Sequence, residues 1–229
     1  LKLQEYNAGN RSDRRLKRDL KRLLKRGPIA LMLCEVHDRR HVLAWAAHKF
    51  DYDLIQFPGP ALGHCALLVR KDAEAHNERT IKISERTYVG REVAGAGDTG
   101  YTAEKHIVAA DIYGPHDDFE VTVAAVHFVP SASKVPAASR LLEIQADACA
   151  RWLRRQPLPT DLAGDCNGQP ERHEFAELRK AATPVAAPSR KGAAIDIHWI
   201  TQGVGSAIGL DGFSSDHKPV EARIHWRQN

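Results

Sequence analysis

Phe213-Ser214-Ser215-Asp216-His217-Lys218-Pro219-Val220 sets a carboxylate and an imidazole side by side, after small residues and before an apolar alternation. Val220, Ala222 and Ile224 carry that alternation and predict the last core strand. The Asp216-His217 pair therefore sits where a loop meets a strand. Asp216 suits a hard cation and His217 exchanges a proton near neutral pH, a combination fitted to metal-assisted attack on a phosphate ester. An isolated Asp-His dipeptide is equally an ordinary polar strand entry, so other polar groups in the same setting have to decide.

Several such groups exist. Ile29 to Cys34 is a continuous apolar run between Pro28 and Glu35, which predicts a strand buried on both faces. Glu35 emerges at its end, where a carboxylate is costly unless paired or bound to a cation; the alternative is a solvated strand-end glutamate. Leu1, Leu3 and Tyr6 predict a short first strand that ends at Asn7-Ala8-Gly9-Asn10. Phe119 to Val129 alternates Val121, Val123 and Ala125 and delivers His127 just before Pro130-Ser131, although a lone strand histidine is often structural.

Thr160 to Gly168 reads as a short strand running into a glycine-framed loop. Asp165 and Asn167, two apart, point the same way at its end, and Gly164 and Gly168 permit close approach of backbone to a ligand. An Asx turn is the competing explanation. Asp196, between Ile195 and Ile197 in a predicted strand from Ala193 to Thr201, needs a hydrogen-bond donor. His217 is the natural one, with a structural cap as the alternative.

The formal charge of +4 is unevenly placed. Arg11 to Arg26 holds nine Arg and Lys against two Asp, a local +7 that leaves the remainder at −3. Leu16, Leu20, Leu23 and Leu24 at helical spacing, with Asn10 or Ser12 as caps and Gly27-Pro28 as a stop, make this an amphipathic helix with a basic outer face. Attraction to a polyanion, nucleic acid or anionic membrane, and a plain solvated face are the two readings, and no aromatic-interleaved basic patch for single strands is visible in the sequence.

Further helices are predicted at His37 to Phe50 and at Ser139 to Gln156, the latter with Leu142, Ile144, Ala148, Cys149, Trp152 and Leu153 on one face. His37, His41 and His48 follow a helix face and read as surface residues. Strands are predicted at Asp53 to Phe57, His64 to Arg70 and Thr80 to Ser84, and at His106 to Tyr113 in a hairpin turning at Gly114-Pro115. The glycine-rich loop Gly90 to Gly100 is expected to be mobile and near a substrate. Its Gly95-Ala96-Gly97 lacks the strand and helix of a nucleotide-binding fingerprint.

With 229 residues, 43% hydrophobic and 27% charged, and no break in composition, one domain spanning 1–229 is expected. No apolar run has membrane-spanning length and no signal peptide is visible, so no membrane span is expected, with a removed leader left open. Cys34, Cys65, Cys149 and Cys166 lack zinc-site spacing and read as buried free thiols, which favours a reducing compartment and a cytoplasmic location.

In order along the chain, Tyr6-Asn7, Leu33-Cys34-Glu35, Ala125-Val126-His127, Gly164-Asp165-Cys166-Asn167, Ile195-Asp196 and Ser215-Asp216-His217-Pro219 resemble the endonuclease/exonuclease/phosphatase superfamily. Pancreatic deoxyribonuclease and the exonuclease III type of abasic-site endonuclease typify it. The resemblance implies an α+β, four-layer sandwich in which two mostly antiparallel sheets pack face to face with helices outside. It also implies Mg²⁺, with Mn²⁺ as a substitute, held by Glu35 with help from Asn7 and Asp216. Asp165 and Asn167 would hold the attacking water or the scissile phosphate. His217, oriented by Asp196, would be base or phosphate contact, and His127 phosphate contact or acid.

Cys166 and His198-Trp199 depart from the usual family residues and alter the floor of the site. The implied reaction is in-line hydrolysis of a phosphodiester, with DNA as the expected partner, Lys134 and Arg140 reaching its backbone, and no obligate protein partner. Phosphoinositide, sphingolipid or small soluble phosphate esters are the alternative substrates. A non-catalytic binding module is a further alternative, against which stands the presence of every one of the family's polar positions.

Overall fold

A computed structural model describes residues 1–9, 11–36, 38–59, 64–91, 99–114, 119–130 and 135–226. Strands β1 (Lys2–Asn7) and β2 (Ala30–Cys34) flank helix α1 (Asp13–Leu24). Then come α2 (Arg40–Phe50), β3 (Tyr52–Ile55), β4 (Cys65–Arg70), β5 (Glu74–Ser84) and the short β6 (Thr87–Tyr88) and β7 (Tyr101–Thr102). The second half runs β8 (Lys105–Tyr113), β9 (Glu120–His127), α3 (Pro136–Leu153), β10 (Thr160–Asp165) and α4 (Ala176–Ala181). It ends with β11 (Thr183–Ala186), β12 (Asp196–Ile200), β13 (Gly203–Gly209) and β14 (Val220–Trp226).

Two six-stranded sheets result, with strand orders β13-β14-β1-β2-β4-β3 and β11-β12-β10-β9-β8-β5. Each contains one parallel pair, β1 with β2 and β9 with β10, and its other pairs are antiparallel. The parallel pairs need crossovers, and α1 and α3 supply them. The expected mostly antiparallel sandwich is therefore what forms.

Alternation along the strands builds the layers. Leu3, Met32, Leu67 and Ile224 of the first sheet meet Val108, Val123, Ala163 and Ile200 of the second in the central core. The opposite faces pack on α1 and α2 through Leu31, Leu33 and Leu68, and on α3 through Ala124, Val126 and Trp199. Leu16, Leu20, Leu23 and Leu24 of α1 are all buried, each contributing roughly 2 kcal/mol. Asp19, buried among them, accepts from the Tyr6 hydroxyl at 2.9 Å and the Ser214 amide at 3.0 Å.

Some expectations are corrected. Ile144 is 43% exposed, because the buried face of α3 follows Leu142, Gln145, Ala146 and Cys149 instead. The buried Gln145 accepts from the Val129 amide and donates to Ser84 Oγ, both at 2.9 Å. β5 begins at Glu74, six residues before the predicted start, and β11 and β13 carry no strand signal. β5, β11 and β13 are all edge strands whose exposed side chains blur the alternation. The four cysteines are free and buried, as expected. Asn10, His37, Gly95-Ala96-Gly97, Pro115 and Lys134 lie outside the described residues.

Glu174 locks the segment after β10 onto α3. It accepts from Ser139 Oγ at 2.6 Å and from Arg172, whose guanidinium holds the carboxyl down at about 2. A depressed pKa stabilises the fold above the ordinary value of 4.5, and the contribution is lost as pH falls from there through about 2. Glu174→Gln is expected to cost about 2 kcal/mol at pH 7 and progressively less below pH 4.5, read by urea unfolding at both ends of that range.

Candidate active site

The two parallel strand pairs end at the same place. In the first sheet Asn7 lies opposite Cys34, so Asn7 and Glu35 emerge together. In the second sheet Asp165 lies opposite both His127 on β9 and Asp196 on β12. The turn before β14 adds Asp216 and His217. Seven of the predicted residues, Asn7, Glu35, His127, Asp165, Asn167, Asp216 and His217, line one cavity of about 690 Å³. Asp196, fully buried, stands behind His217.

Hydrogen bonds fix the orientations. The Asn7 amide nitrogen donates to Asp165 at 2.8 Å and to Glu35 at 3.2 Å, while its oxygen accepts from the Gly9 amide at 2.9 Å. In this rotamer Asn7 holds the two carboxylates together rather than offering its oxygen to a cation. Asp165 also accepts from the Asn167 amide at 2.8 Å, so the Asx turn is present within the site and is no alternative to it. The Asn167 side chain donates to the Phe128 carbonyl at 3.0 Å. Glu35 and Asn167 hold φ of 55° and 51°, a left-handed conformation that is costly for glutamate and tolerated by asparagine.

His217 Nδ1 lies 2.8 Å from Asp196, which sets that nitrogen as the proton-bearing one and turns Nε2 towards Asp165 at 3.8 Å. Burial works against the imidazolium, but the hydrogen bond and charge of Asp196 outweigh it and raise the His217 pKa. Asp165 is pushed up to about 7, first by burial and then by the charge of Asp196. His127 Nε2 is 3.6 Å from Glu35 and 3.8 Å from Asp165, and its Nδ1 is 2.8 Å from His64.

Ligand atoms of Glu35, His127 and Asp165 lie within 4.8 Å of one another, as do those of Asp165, Asp196 and His217. Two carboxylates converging on a single amide are like charges that a divalent cation would compensate. Their oxygens, with cavity room for water, fit Mg²⁺ or Mn²⁺. Asp216 belongs to neither group. Half-exposed, it is bound by Arg11 at 2.9 Å and Arg190 at 3.2 Å. These cations and His217 overcome its burial and hold its carboxyl below the usual range.

Arg140 pairs with Glu143 on the surface of α3 and does not line the cavity. Arg11 and Arg190 are the guanidinium groups at the rim. Sequence reading also passed over His64, Lys105 and Glu5. His64 had a signal, since it precedes Cys65, the partner of Cys34, and so falls across from Glu35. Lys105 lines the cavity although nearly buried, and burial lowers its pKa. Glu5 is fully buried, neither carboxyl oxygen has a partner among the described residues, and burial, then Asp196 and Asp165, push its pKa well up. Trp199 faces Phe175 and Cys166 on the α3 side, so that departure in sequence leaves the cavity untouched. Residues 92–98 of the glycine-rich loop are outside the described set, but Thr102 and Ala103 just beyond it line the cavity.

No protein-family model and no curated protein matches the sequence. Solved structures match it over nearly all its length. An endonuclease/exonuclease/phosphatase family protein from Bacteroides thetaiotaomicron superposes with a TM-score of 0.77 at 12% identity, covering 100% of this chain and 98% of the other. The human Nocturnin catalytic domain with bound sulfate gives 0.74 at 14%, covering 99% and 94%. A mannosyl-6-phosphatase from Bacteroides thetaiotaomicron gives 0.73 at 14%, covering 99% and 100%. The likeness at such identities is one of architecture, and the chain has the fold of the endonuclease/exonuclease/phosphatase family proteins.

Proposed function

We propose that the chain is a divalent-metal-dependent phosphoric-ester hydrolase, and more narrowly a nuclease that hydrolyses DNA by in-line attack of water. One observation carries the reading: the Asp196-oriented His217 and the Glu35–His127–Asp165 group face the same cavity. Glu35 and Asp165 would hold Mg²⁺, which when bound neutralises charge on the phosphate. Asp216, tied to two arginines, would help through water.

The chain's own groups supply the rest. His217, with Nδ1 committed to Asp196, presents Nε2 to a phosphate oxygen or to the attacking water. Asp165, held ionised beside the cation, would orient the attacking water. Its hydrogen bond from Asn7 and the Asn167 turn keep it aimed into the cavity. His127, whose Nδ1 meets His64, would contact the phosphate or protonate the leaving oxygen. Arg11, Arg190 and Lys105 give the mouth positive charge suited to a phosphate.

Cleavage of supercoiled plasmid in Mg²⁺, Mn²⁺ and EDTA, with Glu35→Ala as control, tests this. Metal-dependent nicking absent from the variant is the expected result; no cleavage in any lane, of the plasmid or of a single-stranded oligonucleotide beside it, removes the nuclease reading. The second reading, a phosphatase on soluble or headgroup phosphates, is favoured by the match to a mannosyl-6-phosphatase across the whole of both chains. Salt separates the two, since nucleic-acid binding weakens steeply with ionic strength and a small ester responds weakly. Polyanion binding without turnover on any ester would leave a binding module.

A further inference from the structure

The basic residues of α1 and its flanks, Arg11 to Arg26, fall into two sets. One is tied into the fold: Arg11 to Asp216, Arg22 to the Gly212 carbonyl and the Phe213 ring, Arg26 to Glu221. The other is not. Arg14, Arg15 and Lys21 are exposed and make no ion pair among the described residues, and Arg18 has only the distant Asp19 at 3.7 Å. Arg14, Arg15, Arg18 and Lys21, with Lys17, Ser12 and Trp45 of α2, line a groove of about 670 Å³ that contains no carboxylate.

Trp45 gives this groove a second chemistry. Its ring has Lys17 Nζ at 5.4 Å and Lys49 Nζ at 5.8 Å, and Phe50 supports it edge-on at 6.3 Å. A half-buried aromatic ring among unpaired cations suits a ligand that is both planar and anionic. A bilayer fits poorly, because the leucines of α1 are all buried and none remains to insert. A small ester fits poorly too: twelve helical residues extend about 18 Å, the length of about five stacked nucleotides.

The groove also adjoins the catalytic cavity. Gly9 lines one and Ser12 the other, three residues or at most about 11 Å apart. Arg11, on Asp216 at the rim, stands between them.

We propose that the α1–α2 groove is an exosite for single-stranded nucleic acid, with backbone phosphates on Arg14, Arg15, Arg18 and Lys21 and an unpaired base stacked on Trp45. The strand it holds is the one whose neighbouring phosphate enters the cavity. An unpaired base is required because only that exposes its face to an indole. The proposal rests on the nuclease reading and deepens it by naming the form of nucleic acid.

The test is anisotropy of a labelled fifteen-residue oligothymidylate, in EDTA so that turnover plays no part, across a salt series. Competitors are a blunt duplex of equal length and phosphatidylserine vesicles. Arg14→Glu/Arg18→Glu/Lys21→Glu is expected to weaken binding at least about tenfold and flatten the salt slope by about 2. Trp45→Leu, which keeps packing against Phe50, is expected to cost about fivefold or more. Thermal midpoints serve as the fold control. Unchanged affinity in either folded variant overturns the proposal, as does wild-type preference for duplex or vesicles. Oligothymidylate binding that maps to the groove, in a protein that turns over no ester, upholds the exosite and sinks the hydrolase reading alone.

Discussion

Replacing Glu35 by alanine is expected to lower turnover by roughly 100-fold or more while the protein stays folded. Glu35 is about one-third exposed, lies beyond the end of β2 and fills no part of the hydrophobic cores, so its removal leaves no cavity. What is lost is one of the two carboxylates that converge on Asn7 and one of the partners of His127. Adding Mg²⁺ should raise the wild-type melting temperature and move the variant much less, which reads the metal site without any substrate. Full activity in the variant would mean that the site has been misplaced.

His217→Ala belongs beside it, with a different signature. Turnover should fall by a similar factor, but stability should fall as well, because Asp196 is fully buried and loses the imidazole that faces it. Leaving a buried charge without its partner costs about 3 kcal/mol. Asp196→Asn/His217→Ala is expected to recover much of the melting temperature and none of the activity. A double variant that recovers both would reduce the pair to a structural contact.

Much of this site was legible because each residue sits at a strand end, where a buried apolar run stops and a polar residue has to be explained. Ile29 to Cys34 exposed Glu35 in that way, and Val121 to Ala125 exposed His127. Asp196 between two isoleucines called for a donor, with His217 as the natural one and a structural cap as the alternative, and the structure sets the pair 2.8 Å apart. The rest depended on contacts between elements distant in sequence. Arg11 and Arg190 meet on Asp216 only because the segment leading into α1 and the segment before β12 flank the same turn. Glu5 shares by alternation the inward face of Leu1 and Leu3, but nothing in the sequence says what covers a carboxylate there, and only the second sheet lying over β1 buries it completely. Ile144 failed for a local reason: two helical residues past Leu142 is a rotation of about 200°, onto the solvent side. The polar first half of β5 and the glycines of β13 hid edge strands, whose neighbours and not their own pattern specify them.

Gly164 is where fold and site constrain each other most tightly, and Gly164→Ala is expected to be among the most damaging single changes in the chain. β10 runs parallel to β9 with Gly164 opposite Val126 and Asp165 opposite His127. A Cβ at Gly164 would lie 1.7 Å from the Val126 carbonyl oxygen and 3.2 Å from Cys34 Sγ. That oxygen already accepts from the Cys34 thiol at 3.0 Å, and Val126 is fully buried in the second sheet, so neither partner can withdraw alone. Separating the strands instead would cost on the order of 3–5 kcal/mol. It would also move Asp165 relative to His127, and a displacement of about 1 Å in such a pair costs about 100-fold in rate. Gly168→Ala is the comparison, because its Cβ would meet side chains alone, Arg172 Cδ at 2.7 Å and Phe175 Cε2 at 3.2 Å, and no backbone carbonyl. Urea unfolding and turnover of both variants should show a loss of stability alone for Gly168 and a larger, joint loss of stability and turnover for Gly164. Equal effects would mean that the carbonyl of Val126 yields, and that the β9–β10 pairing does not fix the distance between His127 and Asp165.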